Sequence, residues 1–152
     1  MAAEYLANAV QEVDLNGAVL FTASIPCNKG YVYHEDETGI FILRGIVNNS
    51  CANYATYQVT FNGNIAVPTG GTAGAIAVAI TVNGEARPTS RAIVTPAAVE
   101  EYNNVTSTCI IKVPRGCCMN IAVRSVSGVA AGGTPAPVIE VQNANLVINR
   151  IA

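Results

Sequence analysis

Charge is scarce in this chain. Lys, Arg, Asp and Glu together make up 12% of its 152 residues, where an average soluble domain has about 25%. Eight basic side chains against ten acidic ones leave a formal charge of −2, and nowhere do Lys and Arg gather into a cluster. Phosphate backbones are bound by such clusters, so nucleic acid is set aside as a partner. Long hydrophobic runs are missing too. Hydrophobic residues reach 51%, mostly Ala, Val and Ile in short pieces, and none approaches the roughly 20 residues of a membrane helix. No membrane association is expected. The opening residues Met1-Ala2-Ala3-Glu4-Tyr5 lack a basic region followed by an apolar core, so no secretory signal is expected. So little charge cannot cover a monomer of this size, which points to an obligate oligomer.

The residues of common chemistries are equally sparse. His34 is the only histidine, and no serine sits in a Gly-x-Ser-x-Gly elbow. A Ser-His triad would have to rest on one residue in a polar loop, so no enzyme and no cofactor is expected. There is no C-x-x-C among Cys27, Cys51, Cys109, Cys117 and Cys118, which argues against a structural zinc site. Their odd number reads as free thiols in a reducing setting, with one long-range disulfide left open. Extended backbone would turn adjacent Cys117 and Cys118 to opposite faces. His34-Glu35-Asp36-Glu37 gathers carboxylates that could hold Ca²⁺ but lacks the spacing of a dedicated calcium loop. It reads as a solvated hairpin, and no metal is expected. The sequons at Asn48-Asn49-Ser50 and Asn104-Val105-Thr106 read as polar loop and strand-entry residues. Tyr102, within Glu100-Glu101-Tyr102-Asn103-Asn104, reads as a loop anchor.

What the chain does have is alternation. Ile76, Val78, Ile80 and Val82 recur at period two, and Ala75, Ala77 and Ala79 line the opposite face. Asn83-Gly84 then supplies residues that tolerate positive φ in a tight hairpin turn. The small, dry face predicts close approach by a partner sheet or subunit, and Ala75, Ala77 and Ala79 are the expected trimer interface. Ala55, Tyr57, Val59 and Phe61 alternate with Tyr54, Thr56, Gln58 and Thr60, until Asn62-Gly63-Asn64 interrupts the pattern. Further strands are predicted at 18–21, 29–34, 40–47, 105–113, 119–126 and 138–151, the last broken near Gln142-Asn143. The segment 85–95, which contains Pro88, is predicted to be an edge. Asn48-Asn49-Ser50 and Gly128 to Pro137 are predicted loops. Nine or ten short strands separated by turn signals, without a long helix, predict an all-β antiparallel sandwich or closed barrel. Tyr5, Leu6, Ala9 and Val10 fit one stripe of a short helix or of a loosely docked arm. Residues 1–12 are therefore expected to be an N-terminal arm, and residues 13–152 the globular domain.

Four stretches resemble the tumour necrosis factor-like jelly roll, a superfamily that includes the heads of complement collagens and of the exosporium protein BclA. Gly39-Ile40-Phe41-Ile42-Leu43-Arg44-Gly45 is similar to the early strand after a loop ending in glycine. Ala77 to Glu85 resembles the central hairpin. Ile110 to Gly116 resembles an apolar strand and its turn, with Cys117 in place of the usual acid. Ala144 to Ile151 resembles the closing central strand. The likeness covers roughly residues 13 to 151, and the chain as a whole resembles BclA-head-like proteins of Firmicutes and their phages. The resemblance implies two stacked sheets and a compact homotrimer that binds proteins, glycans or calcium at its apex or between protomers. The collagen stalk of that family has no counterpart here, since no Gly-X-Y run occurs. The functional expectation is a non-enzymatic, trimeric decoration protein on a phage virion surface, attached to the major capsid protein by the arm residues Tyr5, Leu6, Ala9 and Val10. The alternative is a bacterial spore- or cell-surface head that binds a protein or glycan.

Overall fold

The computed structural model describes residues 2–25, 30–35, 37–47, 51–126 and 138–152. The loops read at Asn48-Asn49-Ser50 and Gly128 to Pro137 lie outside the described residues, as do Cys27 and Asp36. Among those described, twelve strands follow one another: β1 (Ala2–Ala7), β2 (Gln11–Val13), β3 (Ala23–Ile25), β4 (Val32–His34), β5 (Phe41–Arg44), β6 (Tyr54–Ala66), β7 (Ile76–Val82), β8 (Glu85–Ala86), β9 (Ala92–Val94), β10 (Asn103–Pro114), β11 (Cys118–Ser125) and β12 (Ile139–Arg150). The first sheet runs β10-β6-β12-β1-β3, with β2 also on β12. The second runs β4-β5-β11-β7-β8, with β9 beside β8 on the same strand, β7. Every strand pairing is antiparallel. The two sheets stack as the jelly-roll sandwich that the alternation predicts.

The period-two rows decide what lies between the sheets. Ala55, Tyr57, Val59 and Phe61 of β6 are fully buried, as are Ile76, Val78 and Ile80 of β7. Tyr5 of the first sheet meets Phe41 of the second edge-on at 4.5 Å between ring centroids, and Phe21 meets Phe41 from another side at 5.5 Å. Such tilted contacts match the quadrupoles of the rings and add to the area they bury. Glycine is required where chain segments press together. A Cβ on Gly45 would overlap the Pro114 carbonyl oxygen, and one on Gly39 the Val19 carbonyl oxygen.

Several expectations give way here. Residues 1–12 are not an arm: β1 lies inside the first sheet, paired with β12 from Ala2↔Asn149 to Ala7↔Ala144 and with β3 on its other side. Ala3, Tyr5 and Ala7 enter the core. Tyr5 therefore cannot serve attachment, Leu6 is half-buried, and Ala9 and Val10 fall in the connection after β1. The helical spacing was outweighed by a second, period-two row that only a partner strand distant in sequence makes meaningful. The alanine face differs too. Ala75 is exposed ahead of β7, whereas Ala77 and Ala79 are 1% and 0% exposed in a single chain. At Ala77 and Ala79 the face is already closed within one chain, which leaves nothing at those two positions for a neighbour to cover. Strand β6 continues through Asn62-Gly63-Asn64 to Ala66. Of the predicted strand 18–21, Ala18 forms only an isolated bridge with Arg124, while Val19 and Phe21 are core residues. The break near Gln142-Asn143 is present: the register of β12 on β6 shifts between Gln142 and Asn145, and Asn143 sits at φ 53°.

Candidate interaction surface

The outward face of the first sheet is built by the residues that alternate with the core row. Register sets them side by side: Ile110, Gln58 and Asn149 in one row, Thr108, Thr60 and Val147 in the next, then Thr106, Asn62 and Asn145, then Asn104, Asn64 and Gln142. None of these twelve side chains is charged. Lys112 closes the face at one end, next to Tyr54, with its Nζ 5.7 Å from the ring centre. At that end Ile110, Ile151 and Tyr54 stay about half exposed. An outward sheet face in water normally carries charges, which also prevent edge-to-edge association. This one carries amides, hydroxyls and exposed aliphatic groups instead.

These polar groups hold one another in place. The hydroxyls of Thr60 and Thr108 lie 3.1 Å apart. Asn104 Nδ2 donates to Asn62 Oδ1 at 2.9 Å and reaches Asn64 Oδ1 at 3.2 Å, while Thr106 Oγ1 donates to Asn62 Oδ1 at 3.2 Å. Asn145 Nδ2 donates to Glu4 Oε1 at 2.6 Å. The network is pre-ordered and neutral except where it reaches the Glu4 carboxylate on β1 beside Val147, and burying its neutral pairs costs far less than burying charges. The face has the composition of an interface core, depleted of charge with apolar groups interspersed.

The far end is acidic. Glu140 of β12 stands directly opposite Glu12 of β2. Tyr102, read from sequence as an anchor, donates its hydroxyl to Glu140 Oε2 at 2.7 Å. Burial, joined by that bond and the neighbouring charges of Glu140 and Glu100, pushes its phenol up to about 12. The Thr69 hydroxyl and N–H both donate to Glu100 Oε1, at 2.9 and 2.8 Å, and hold that carboxyl below its ordinary value.

The other candidates stand apart from this face. His34 stacks on Phe41 at 4.5 Å, and its Nε2 lies 2.8 Å from the Thr38 carbonyl oxygen, so its ring is used in packing and in closing the hairpin. Cys51, Cys117 and Cys118 are exposed and Cys109 is half-buried, all four as free thiols. Burial raises the Cys109 thiol, against an opposing effect of Arg87. The polar row of β6 is visible in the sequence as the residues that alternate with Ala55, Tyr57, Val59 and Phe61. Its place in a shared face is not, because the matching rows of β10 and β12 come into register only through pairing.

No family model and no curated sequence matches the chain. Solved structures do. The globular domain of zebrafish complement 1qA protein is 13% identical with a TM-score of 0.60, over 99% of this chain and 97% of that one. Eiger TNF from S. frugiperda is 10% identical with a TM-score of 0.64, over 100% and 92%. Murine APRIL is 10% identical with a TM-score of 0.59, over 99% and 100%. The chain thus has the jelly-roll fold these proteins share, end to end.

Proposed function

We propose that this chain is a non-enzymatic head that assembles as a homotrimer through the outward face of its first sheet. The observation that carries the reading is that face: twelve contiguous uncharged positions, half-exposed Ile110 among them, with half-exposed Ile151 and Tyr54 at their border. Covering it removes apolar surface from water at about 25 cal/mol per Å² and strands no charge near its centre. Native mass spectrometry of the purified chain tests the assembly, with trimer expected and monomer at micromolar concentration contradicting it.

The reading extends to the setting. We infer a structural protein on the surface of a phage virion, seated on the major capsid protein. The free thiols support this, since they suit folding in a reducing cytosol, where virions assemble. With β1 in the core, attachment falls to exposed loops rather than to an arm. Co-sedimentation with undecorated capsids checks it: saturable binding is expected, and absence of binding removes the virion reading. A spore- or cell-surface head for a protein or glycan is the second reading. It is favoured by β3, an edge strand exposed along its whole length, with Ile25 59% exposed.

A further inference from the structure

The second sheet keeps a groove on its own outward side, away from the proposed trimer face. Gly30, Val32, Tyr33, Ile42, Arg44 and Cys118 line about 310 Å³ of it. Its geometry follows from register: Tyr33 of β4 lies beside Ile42 of β5, and Arg44 of β5 beside Cys118 of β11. Ile42 gives the outward face an aliphatic surface and Tyr33, 58% exposed, an aromatic one, while Val32, in register with buried Leu43, packs against the core beneath them. Arg44 brings the one charge among the lining residues.

The walls are held from behind. The Arg44 N–H donates to the Tyr31 carbonyl at 3.0 Å. The buried Tyr57 hydroxyl donates to the Arg44 carbonyl and lies 3.2 Å from that of Tyr31. The backbone on either side of the groove is thus fixed before anything binds, and a ligand need not bear the cost of ordering it. The Arg44 side chain is less committed. Its Nη1 lies 3.5 Å from the Gly30 carbonyl oxygen, too far to engage a fork of five N–H donors.

We propose that this groove binds a small organic carboxylate with an apolar body of about one ring. The carboxylate sits on the Arg44 guanidinium, whose planar fork matches it, and the body lies against Tyr33 and Ile42. The size is at the lower end of ligand pockets, which start at about 300 Å³. A sugar fits this lining poorly. Apart from Arg44, only a phenol and a thiol offer side-chain polar groups, so a sugar's hydroxyls would leave water without partners. A phosphate would find a single cation.

The probe is 3-phenylpropionate, with 3-phenylpropionamide as its neutral twin. Binding is followed by amide shifts in NMR and by protection of Cys118 from iodoacetamide, read by mass spectrometry against exposed Cys51. The acid is expected to shift Tyr33 and Ile42 saturably and to protect Cys118 but not Cys51. The amide should bind about tenfold more weakly, the worth of one charge-assisted contact. Arg44→Gln should abolish the preference for acid over amide, and Arg44→Lys should retain part of it. Tyr33→Ala should weaken both ligands. Equal binding of acid and amide, equal protection of Cys51, or no saturation at tens of millimolar would each overturn the proposal. The acid–amide comparison on the unmodified protein stands even if a variant fails to fold.

Discussion

Single residues carry consequences out of proportion to their size. Tyr102 is held neutral by burial and by its bond to Glu140, with its phenol at about 12 against an ordinary value near 10. A group whose folded pKa is raised stabilises fully below its unfolded pKa, and loses that contribution as pH climbs through the folded one. Stability should therefore fall between about pH 10 and 12, and Tyr102→Phe should flatten that part of the curve. In an ultraviolet titration, one tyrosine should ionise near pH 12, and that step should vanish in Tyr102→Phe. A variant that titrates like the parent would refute the assignment. Gly45 is constrained by space, because any Cβ there overlaps the Pro114 carbonyl. Gly45→Ala should cost about 1–3 kcal/mol by overpacking, measured by urea denaturation, and an unchanged midpoint would contradict the contact. Ser90 is buried, accepting from the Ile80 N–H at 3.0 Å and donating to the Arg87 carbonyl at 2.8 Å. It acts as a substitute for backbone pairing on the edge of β7. Ser90→Ala should cost about 1–3 kcal/mol by leaving that N–H unsatisfied.

At the scale of elements, β1 separates the account most sharply from the arm reading. It contributes Ala3, Tyr5 and Ala7 to the core and fills the position between β12 and β3. Tyr5→Ala should cost about 3–5 kcal/mol, in the range of large aromatic truncations. Deletion of residues 1–7 should abolish cooperative melting, and a truncated chain that melts like the full one would restore the arm. The physical reason the sequence misled here is specific. Tyr5, Leu6, Ala9 and Val10 satisfy a helical spacing, Ala3, Tyr5 and Ala7 satisfy a strand spacing, and both rows contain alanines that say little about burial. Only pairing with β12, some 140 positions along the chain, decides between them. Where side chains are large and alternate with polar ones, as in Tyr54 to Phe61, the strand and its core face were both legible. The hairpin at Asn83-Gly84 was legible for another reason: both residues adopt positive φ, 51° and 87°, which few others tolerate. Ala77 and Ala79 show the limit. A row of small residues signals close approach, but cannot say whether the same chain or another makes it.

For the whole molecule, the fold apportions its two outward faces unequally. The first sheet presents neutral amides and hydroxyls in register, and the second presents a groove backed by Tyr57 and Arg44. The charge deficit pointed to an oligomer from composition alone, yet it could not locate the interface, because location depends on which rows share a face. Thr60 lies in the middle of the neutral face, in register with Thr108 on one side and Val147 on the other. Thr60→Glu adds a carboxylate that water solvates in a monomer, at a cost within about 0.5 kcal/mol, but that lacks a partner when the face is covered. Ala79→Glu adds the same charge to a position with no exposure in a single chain, and should unfold it. The most direct measurement is light-scattering mass on the parent and on Thr60→Glu, with circular dichroism to show that both are folded. The account predicts three times 15.7 kDa for the parent and a folded species of one chain's mass for Thr60→Glu; a Thr60→Glu trimer as stable as the parent would contradict it.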